Sequence, residues 1–431
     1  MKYSIVLSKG FRIRIDMSMF AKDINMFLLV SESVRKRLTD EQISCFKEVI
    51  ILDFSDESLE QVTRALIAKY NISADDLSIC TNDEYALLPA ARLREALGLK
   101  GAKASEITPF LNKMEMKEKM RQANVNIPKH LSFNAKRYLQ DGQAYIDEII
   151  QLLGTTHIFA KPVDSVGSQG VAEITSAAGL VQWCELHRND HNYELDEFIT
   201  GEFFHIDSVV LDGKIIDVQV SKYAYPNADF FQGRPFGSYV VTDDVSVSAE
   251  LKAFNEDVLR ALSPVPDGCT HMEAFKKANG EIVFLEIAAR PGGASIPDMY
   301  EKYMGFHYEE IHYRCQMKLA IPQMKPLEDR NLFVGWLWYP RIAGDVTSIF
   351  SRLPIRSICN IEHFAKPGQK ISAAETLIDR VASVFLENSD AQQLKEDFEL
   401  AKMLKPVTIW PEVAGNNAPT PEAKQDFRPV V

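Results

Sequence analysis

Thr270-His271-Met272-Glu273-Ala274-Phe275, then Asn279-Gly280, then Ile282-Val283-Phe284-Leu285-Glu286-Ile287 reads as two alternating apolar strands joined by a tight turn. Asn-Gly between such runs is a strong hairpin signal, because both residues tolerate the positive φ of a type I′ turn. With Asn279 and Gly280 as the two turn residues, Ala278 faces Glu281, and counting outward places Glu273 opposite Glu286. Cross-strand neighbours have Cβ atoms about 4.5–5.5 Å apart, and like charges there destabilise a sheet unless a cation lies between them. Two carboxylates at that spacing suit a hard divalent ion, most simply Mg²⁺. Two solvated glutamates on a wet sheet face would give the same pattern. The next segment, Ala289-Arg290-Pro291-Gly292-Gly293-Ala294, moves the balance. It sets a permanent cation and free backbone amides beside the acids, a combination suited to phosphate.

Working outward, 431 residues at 46% hydrophobic can bury two or three cores, and 25% charged is ordinary for a globular, multi-domain protein. A net charge of -12 argues against nucleic acid or an anionic membrane as the main partner and points to a small ligand. Six cysteines are scattered without a C-x-x-C pair, the pattern of reduced thiols rather than a disulfide framework. The N-terminus lacks a leader pattern and no run approaches the ~20 apolar residues of a membrane span, so a cytoplasmic protein is expected.

The first hundred residues alternate apolar runs (26–30, 49–52, 77–80) with amphipathic stretches (58–70, 86–97), the pattern of βα units around a parallel sheet. No G-x-G-x-x-G follows the first strand, which leaves a dinucleotide site unsupported. A second helix, expected over 109–124, carries Lys113 and Lys117 on one face. Residues 156–162 read as a strand bearing Lys161, followed by a loop of small residues with Ser165, Gly167, Ser168 and Gly170. Amides of such a loop can fold over phosphate oxygens while the lysine supplies charge. The linker Asp196-Glu197-Phe198-Ile199 could present backbone groups to an adenine edge, with His205 or Asp207 near the ribose; a packed strand histidine is the even alternative at 205.

Taken in order, Lys113, Lys161 with its glycine loop, Asp196 to Ile199, Glu273, and Glu286 through Gly293 resemble the ATP-grasp superfamily of carboxylate-amine ligases, in the manner of L-amino acid ligases (dipeptide synthases) and carnosine-synthase-like enzymes. The resemblance covers most of the chain. It implies an α/β (α+β) protein of ATP-grasp fold: an N-terminal parallel α/β domain over 1–105, a two-lobed nucleotide-binding domain over 106–325 with a hinge at 196–200, a mixed C-terminal subdomain over 326–414 and a flexible tail over 415–431. Lys113 and Lys161 would then hold the phosphates of ATP, and Ser165, Gly167, Ser168 and Gly170 would belong to a flap over them. Glu197, Phe198 and Ile199 would contact adenine, Glu273 and Glu286 would ligate Mg²⁺ (or Mn²⁺), and Arg290 would face the γ-phosphate and an acyl phosphate. Two positions depart from the family pattern. The usual Glu-x-Asn metal motif reads Glu286-Ile287-Ala288, which places in doubt how a second cation is held, and Phe203 stands where many relatives carry the ribose glutamate.

The resemblance further implies activation of a small carboxylate, that of an amino acid, as an acyl phosphate and its joining to an amine with release of ADP and phosphate. Gly292 and Gly293 are expected to help stabilise the acyl phosphate, and Arg234, in the aromatic stretch 222–238, to clamp a substrate carboxylate. Relatives are commonly homodimers. Transfer to a carrier protein or a metabolite amine, and a nucleotide-binding regulator without turnover, are the other readings; Ala288 is the one feature favouring the last.

Overall fold

The computed structural model describes residues 2–164, 170–242, 244–323, 331–411 and 427–429. Its N-terminal unit is a parallel sheet in the spatial order Glu48–Ile51, Asn25–Val30, Tyr3–Ser8, Leu77–Cys80. Ile5, Val6, Leu7, Phe27, Leu28 and Leu29 are all fully buried, as expected where helices cover both faces of a parallel sheet. The helix Asp56–Tyr70 starts on a Ser55 cap. Asp83 caps the helix Glu84–Leu97, which ends on Gly98 at φ 63°, a left-handed stop that glycine adopts without strain. The same Asp83 carboxylate accepts the N–H groups of Lys9, Gly10 and Phe11 at 2.6, 2.6 and 2.9 Å, fixing the loop that carries Phe11.

Three antiparallel sheets follow: a three-stranded one of Lys370–Ile371, Gly344–Ile349 and Val407–Pro411, and two that flank the cavity described below. The smaller has the order Phe427–Pro429, Ala172–Ile174, Ile158–Pro162, Tyr193–Glu197, His130–Ser132. The larger has eight strands: Ile282–Ala288, Gly268–Lys276, Glu202–Leu211, Lys214–Tyr223, Phe236–Val240, Phe333–Pro340, Arg380–Asn388 and Ile358–His363. The expected boundary at 325 lies outside the described residues, yet the larger sheet runs across it, with Phe236 paired to Trp338. Much of the C-terminal region is therefore continuous with the larger sheet instead of forming a separate subdomain. Of the expected tail, 415–426, 430 and 431 lie outside the described residues, whereas Phe427–Pro429 form a strand against Ala172–Ile174. Among the described residues, no helix is long and apolar enough to cross a membrane. All six cysteines are free thiols.

The helix expected over 109–124 spans Lys113–Gln122, because Asn112 interrupts it and caps the N–H groups of Met114 and Glu115. A short 3₁₀ turn, Thr108–Phe110, precedes it. Lys113 is thereby at the mouth of a helix instead of inside one.

The helix Tyr308–Met317 ties the N-terminal unit to the large sheet. His312 accepts the Cys269 N–H at Nδ1 (2.8 Å) and donates from Nε2 to the Thr81 carbonyl (2.8 Å), while Tyr313 donates to Asn82 (2.9 Å). Burial, with Arg290 and Arg94 adding repulsion, lowers the His312 pKa to about 4. The unfolded imidazole titrates near 6.5, so between these values the unfolded state binds the extra proton. This junction should hold its full stability above pH ~6.5 and lose about 3 kcal/mol as pH falls to about 4. Thermal midpoints of wild type and His312→Asn followed from pH 7 to pH 4.5 test this; parallel curves would refute it.

Candidate active site

The hairpin that opens the sequence reading forms, and its register arises differently from the simple count. Lys277 donates its N–H to Glu281 O (2.8 Å) and Gly280 to Lys277 O (2.9 Å), so the loop holds three residues, 278–280, with Gly280 at φ 88°. Ala274 therefore faces Phe284. A bulge between Glu273 and Ala274 then restores the lost residue, and Glu273 faces Glu286 as the count requires. The extra residue, Leu285, has a second effect. Alternation would turn Leu285 away from the side that Glu286 occupies, but with the bulge both line one cavity.

That cavity, about 620 Å³, lies between the two antiparallel sheets. Lys113, Lys161, Glu197, Phe198, Ile199, Arg234, Glu273, Glu286, Arg290 and Gly293 all line it. Lys113 Nζ is 3.9 Å from Glu286 Oε2. Lys161 Nζ lies 3.3 Å from Glu194 and 3.1 Å from Asp196, and Lys117, buried beneath it, reaches the same two carboxylates at 3.1 and 2.5 Å. Two lysines and two acids thus form one neutral buried group. Burial lowers the Lys117 pKa; it also opposes ionisation of Asp196, but the two lysines outweigh it and hold Asp196 below the usual carboxylate range.

Glu273 is held from three directions. Tyr223 donates to its Oε1 at 2.8 Å, Asn227 donates at 3.1 Å, and His271 Nε2 is 3.6 Å away. Burial raises a carboxylate pKa, yet these partners, His271 foremost, keep that of Glu273 lowered. Behind them His271 Nδ1 donates to Asp207 Oδ1 (2.8 Å), while His205 Nδ1 (2.5 Å) and Tyr300 (2.7 Å) donate to Oδ2. Ser238 completes the chain at His205 Nε2 (2.8 Å). Burial disfavours an imidazolium at His271, but Asp207 and Glu273 prevail and raise its pKa to about 9. His205, with burial dominant, is lowered and stays neutral.

His205 or Asp207 was expected near a ribose, with a packed strand histidine as the even alternative at 205, and the structure has the packed histidine. Both are fully buried and absent from the cavity wall, because the strand Glu202–Leu211 lies inside the sheet with its inward side chains consumed by this hydrogen-bonded chain. Ser165, Gly167 and Ser168 lie outside the described residues. Gly170, at φ 69°, packs near Pro162 and does not line the cavity. Arg234 sits half-exposed at the rim, 3.2 Å from Asp229 and over the Tyr225 ring.

Arg290 is anchored from the N-terminal unit. Its Nε donates to Glu84 Oε2 (2.6 Å), Nη1 donates to Pro291 O (2.9 Å), and the Phe11 ring lies 5.8 Å from its guanidinium. Gly292 leaves little space for a side chain, since a Cβ there would lie 3.0 Å from His271 Nδ1 and from Ile296. At Gly293 nothing would meet an added Cβ, so its backbone is open. In the hinge, Glu197 and Phe198 donate their N–H groups to Lys129 O and His157 O (both 2.9 Å), and the Phe198 ring stacks on His157 at 3.9 Å.

The roles of Tyr223, Asn227, His271, Glu84, Glu194 and Asp196 were not read from the sequence, although Asp196, Tyr223 and Asn227 lie in stretches it singled out. For His271 a signal existed: two residues before Glu273 on a strand, it shares the same face. The others answer to pairings across long separations and left no local trace.

No family model matches this chain. It is 27% identical over 235 residues to an L-arginine-specific L-amino acid ligase of Bacillus subtilis, covering 52% of this chain and 54% of that protein. The chain spans about half the length of the curated relatives it matches. An L-amino acid ligase from Bacillus licheniformis superposes with a TM-score of 0.69 at 15% identity, over 96% of this chain and 99% of that one. N5-carboxyaminoimidazole synthetase from Staphylococcus aureus, solved with ADP, gives 0.62 at 12% identity over 94% and 98%. With a parallel N-terminal unit and a cavity between two of its antiparallel sheets, the chain has the ATP-grasp fold that these structures share.

Proposed function

We propose that this protein is an ATP-dependent carboxylate-amine ligase that activates the carboxylate of an amino acid as an acyl phosphate and joins it to an amine, with release of ADP and phosphate. One observation carries the reading: Lys113, Lys161, Glu273, Glu286 and Arg290, drawn from four separate segments, line one cavity large enough for a nucleotide and a small substrate. The ligases named above, which share the fold of the chain or 27% identity with it over 235 residues, agree with it.

In this reading adenine lies at the hinge. The Glu197 and Phe198 amides are already committed, so recognition falls to the carbonyls and to Ile199. Lys113 and Lys161 neutralise phosphate oxygens. Glu273 and Glu286, two carboxylates on adjacent strands with Glu273 held ionised, offer the oxygen donors that a divalent cation such as Mg²⁺ takes, and the cation neutralises phosphate charge when bound. The substrate carboxylate attacks the γ-phosphoryl group, forming the acyl phosphate and ADP. The amine then attacks the acyl carbon, loses its proton and expels phosphate. Arg290 and the Gly293 backbone face the charge that develops. At the far end Tyr223, Phe236, Trp338, Leu377 and Ile378 supply an apolar wall for an amino acid side chain, with Asp229 and Arg234 at the rim for its charged groups.

Phosphate release from Mg-ATP, with amino acids offered singly and in pairs, tests the proposal. Turnover should require amino acids and fall at least about 100-fold in Glu286→Gln, which removes a charge facing the cation. Nucleotide binding without turnover for any amino acid pair would exclude the amino acid reading and move the acceptor to carrier proteins or other amines.

A further inference from the structure

Among the described lining residues of the cavity, His271 is the one histidine, and it stands where three features meet. Its Nε2 lies 3.6 Å from Glu273 Oε1, beyond hydrogen-bond length, and 3.4 Å from the Tyr223 hydroxyl, whose proton goes to that same Oε1. Its Nδ1 is committed to the Asp207 carboxylate at 2.8 Å, and Asp207 is in turn saturated by His205 and Tyr300. A carboxylate behind Nδ1 with Nε2 turned to the site is the outer support that metal-ligating histidines carry. Directly across the strand pair, His271 faces Ala288, whose methyl offers no donor.

We propose that His271 Nε2 is a direct ligand of a divalent cation shared with Glu273, supplying from the strand Gly268–Lys276 the donor that position 288 lacks on its neighbour. His205 and Asp207, although close to His271, are not part of this site, because each of their polar atoms is already bonded within the buried chain. An imidazole in the donor set also shifts preference toward first-row transition ions over Mg²⁺, as ligand softness dictates. The inference rests on the nucleotide-binding reading above.

The test uses the full chain with Mn²⁺ and a non-hydrolysable ATP analogue, read by electron spin echo modulation. Protein made with ¹⁵N-histidine should show a directly coupled ¹⁵N, absent in His271→Gln, and Mn²⁺ should bind that variant at least about tenfold more weakly. Mn²⁺ and nucleotide bound without any histidine coupling would overturn the inference and leave the ligase reading standing. Failure to bind nucleotide and Mn²⁺ at all would overturn both. Should His271→Gln fail to fold, the labelled wild-type signal decides alone.

Discussion

Arg290→Lys should lower amino-acid-dependent phosphate release by about 100- to 1000-fold, the range for losing one preorganised donor to developing charge, while nucleotide affinity changes little. The expectation follows from how the guanidinium is divided. Nε is fixed to Glu84 and Nη1 to the Pro291 carbonyl, and no described residue engages Nη2, which is left for the cavity. A lysine has one ammonium and cannot hold Glu84 while also facing the reacting phosphoryl group. Because Glu84 is mostly buried, the ammonium should stay with it, which preserves the junction and removes the catalytic donor. Initial rates and equilibrium binding of a fluorescent nucleotide check both halves. A rate within about threefold of wild type would show that Arg290 serves only as a tie between domains.

The second large effect is on stability. Lys117→Met should destabilise the lobe around the smaller sheet by about 3–5 kcal/mol, since removing one partner of a buried pair strands the other charge. Lys117 is 1% exposed, Glu194 0% and Asp196 2%, so water cannot take over the lost partner. Lys161 alone would face two carboxylates. Adding Glu194→Gln returns the group to neutrality and should recover most of the loss. Thermal midpoints and limited proteolysis of the two variants give the readout. If the single variant melts with wild type, the quartet contributes no more than ordinary surface pairs do.

These sites differ in how visible they were. The Glu273–Glu286 pairing was legible because strand alternation and a turn signal are local, although two one-residue offsets, a three-residue loop and a bulge, cancel to produce it. Lys113, Lys161 and Arg290 were legible through their order along the chain. The placement of His205 and Asp207 was not, because a strand with two polar residues at alternate positions reads alike whether its face meets a ligand or a neighbouring strand. Here Asp207 pairs with His271 and His205 with Glu273 across the sheet, and the bonds close inward.

The sequence by itself determined the parallel N-terminal sheet, the helix read over 86–97 that stops at Gly98, the acidic hairpin and the Arg-Pro-Gly-Gly bend, since each depends on φ/ψ preference and side-chain period within a dozen residues. Only the tertiary structure decided that Glu84 anchors Arg290 across 206 positions, that Lys117 lies beneath Lys161, and that His271 stands beside Glu273 with Asp207 behind it. Those contacts require strands and helices from distant segments to come into register. Long-range register is set by the packing of whole sheets, and no local run of residues encodes it.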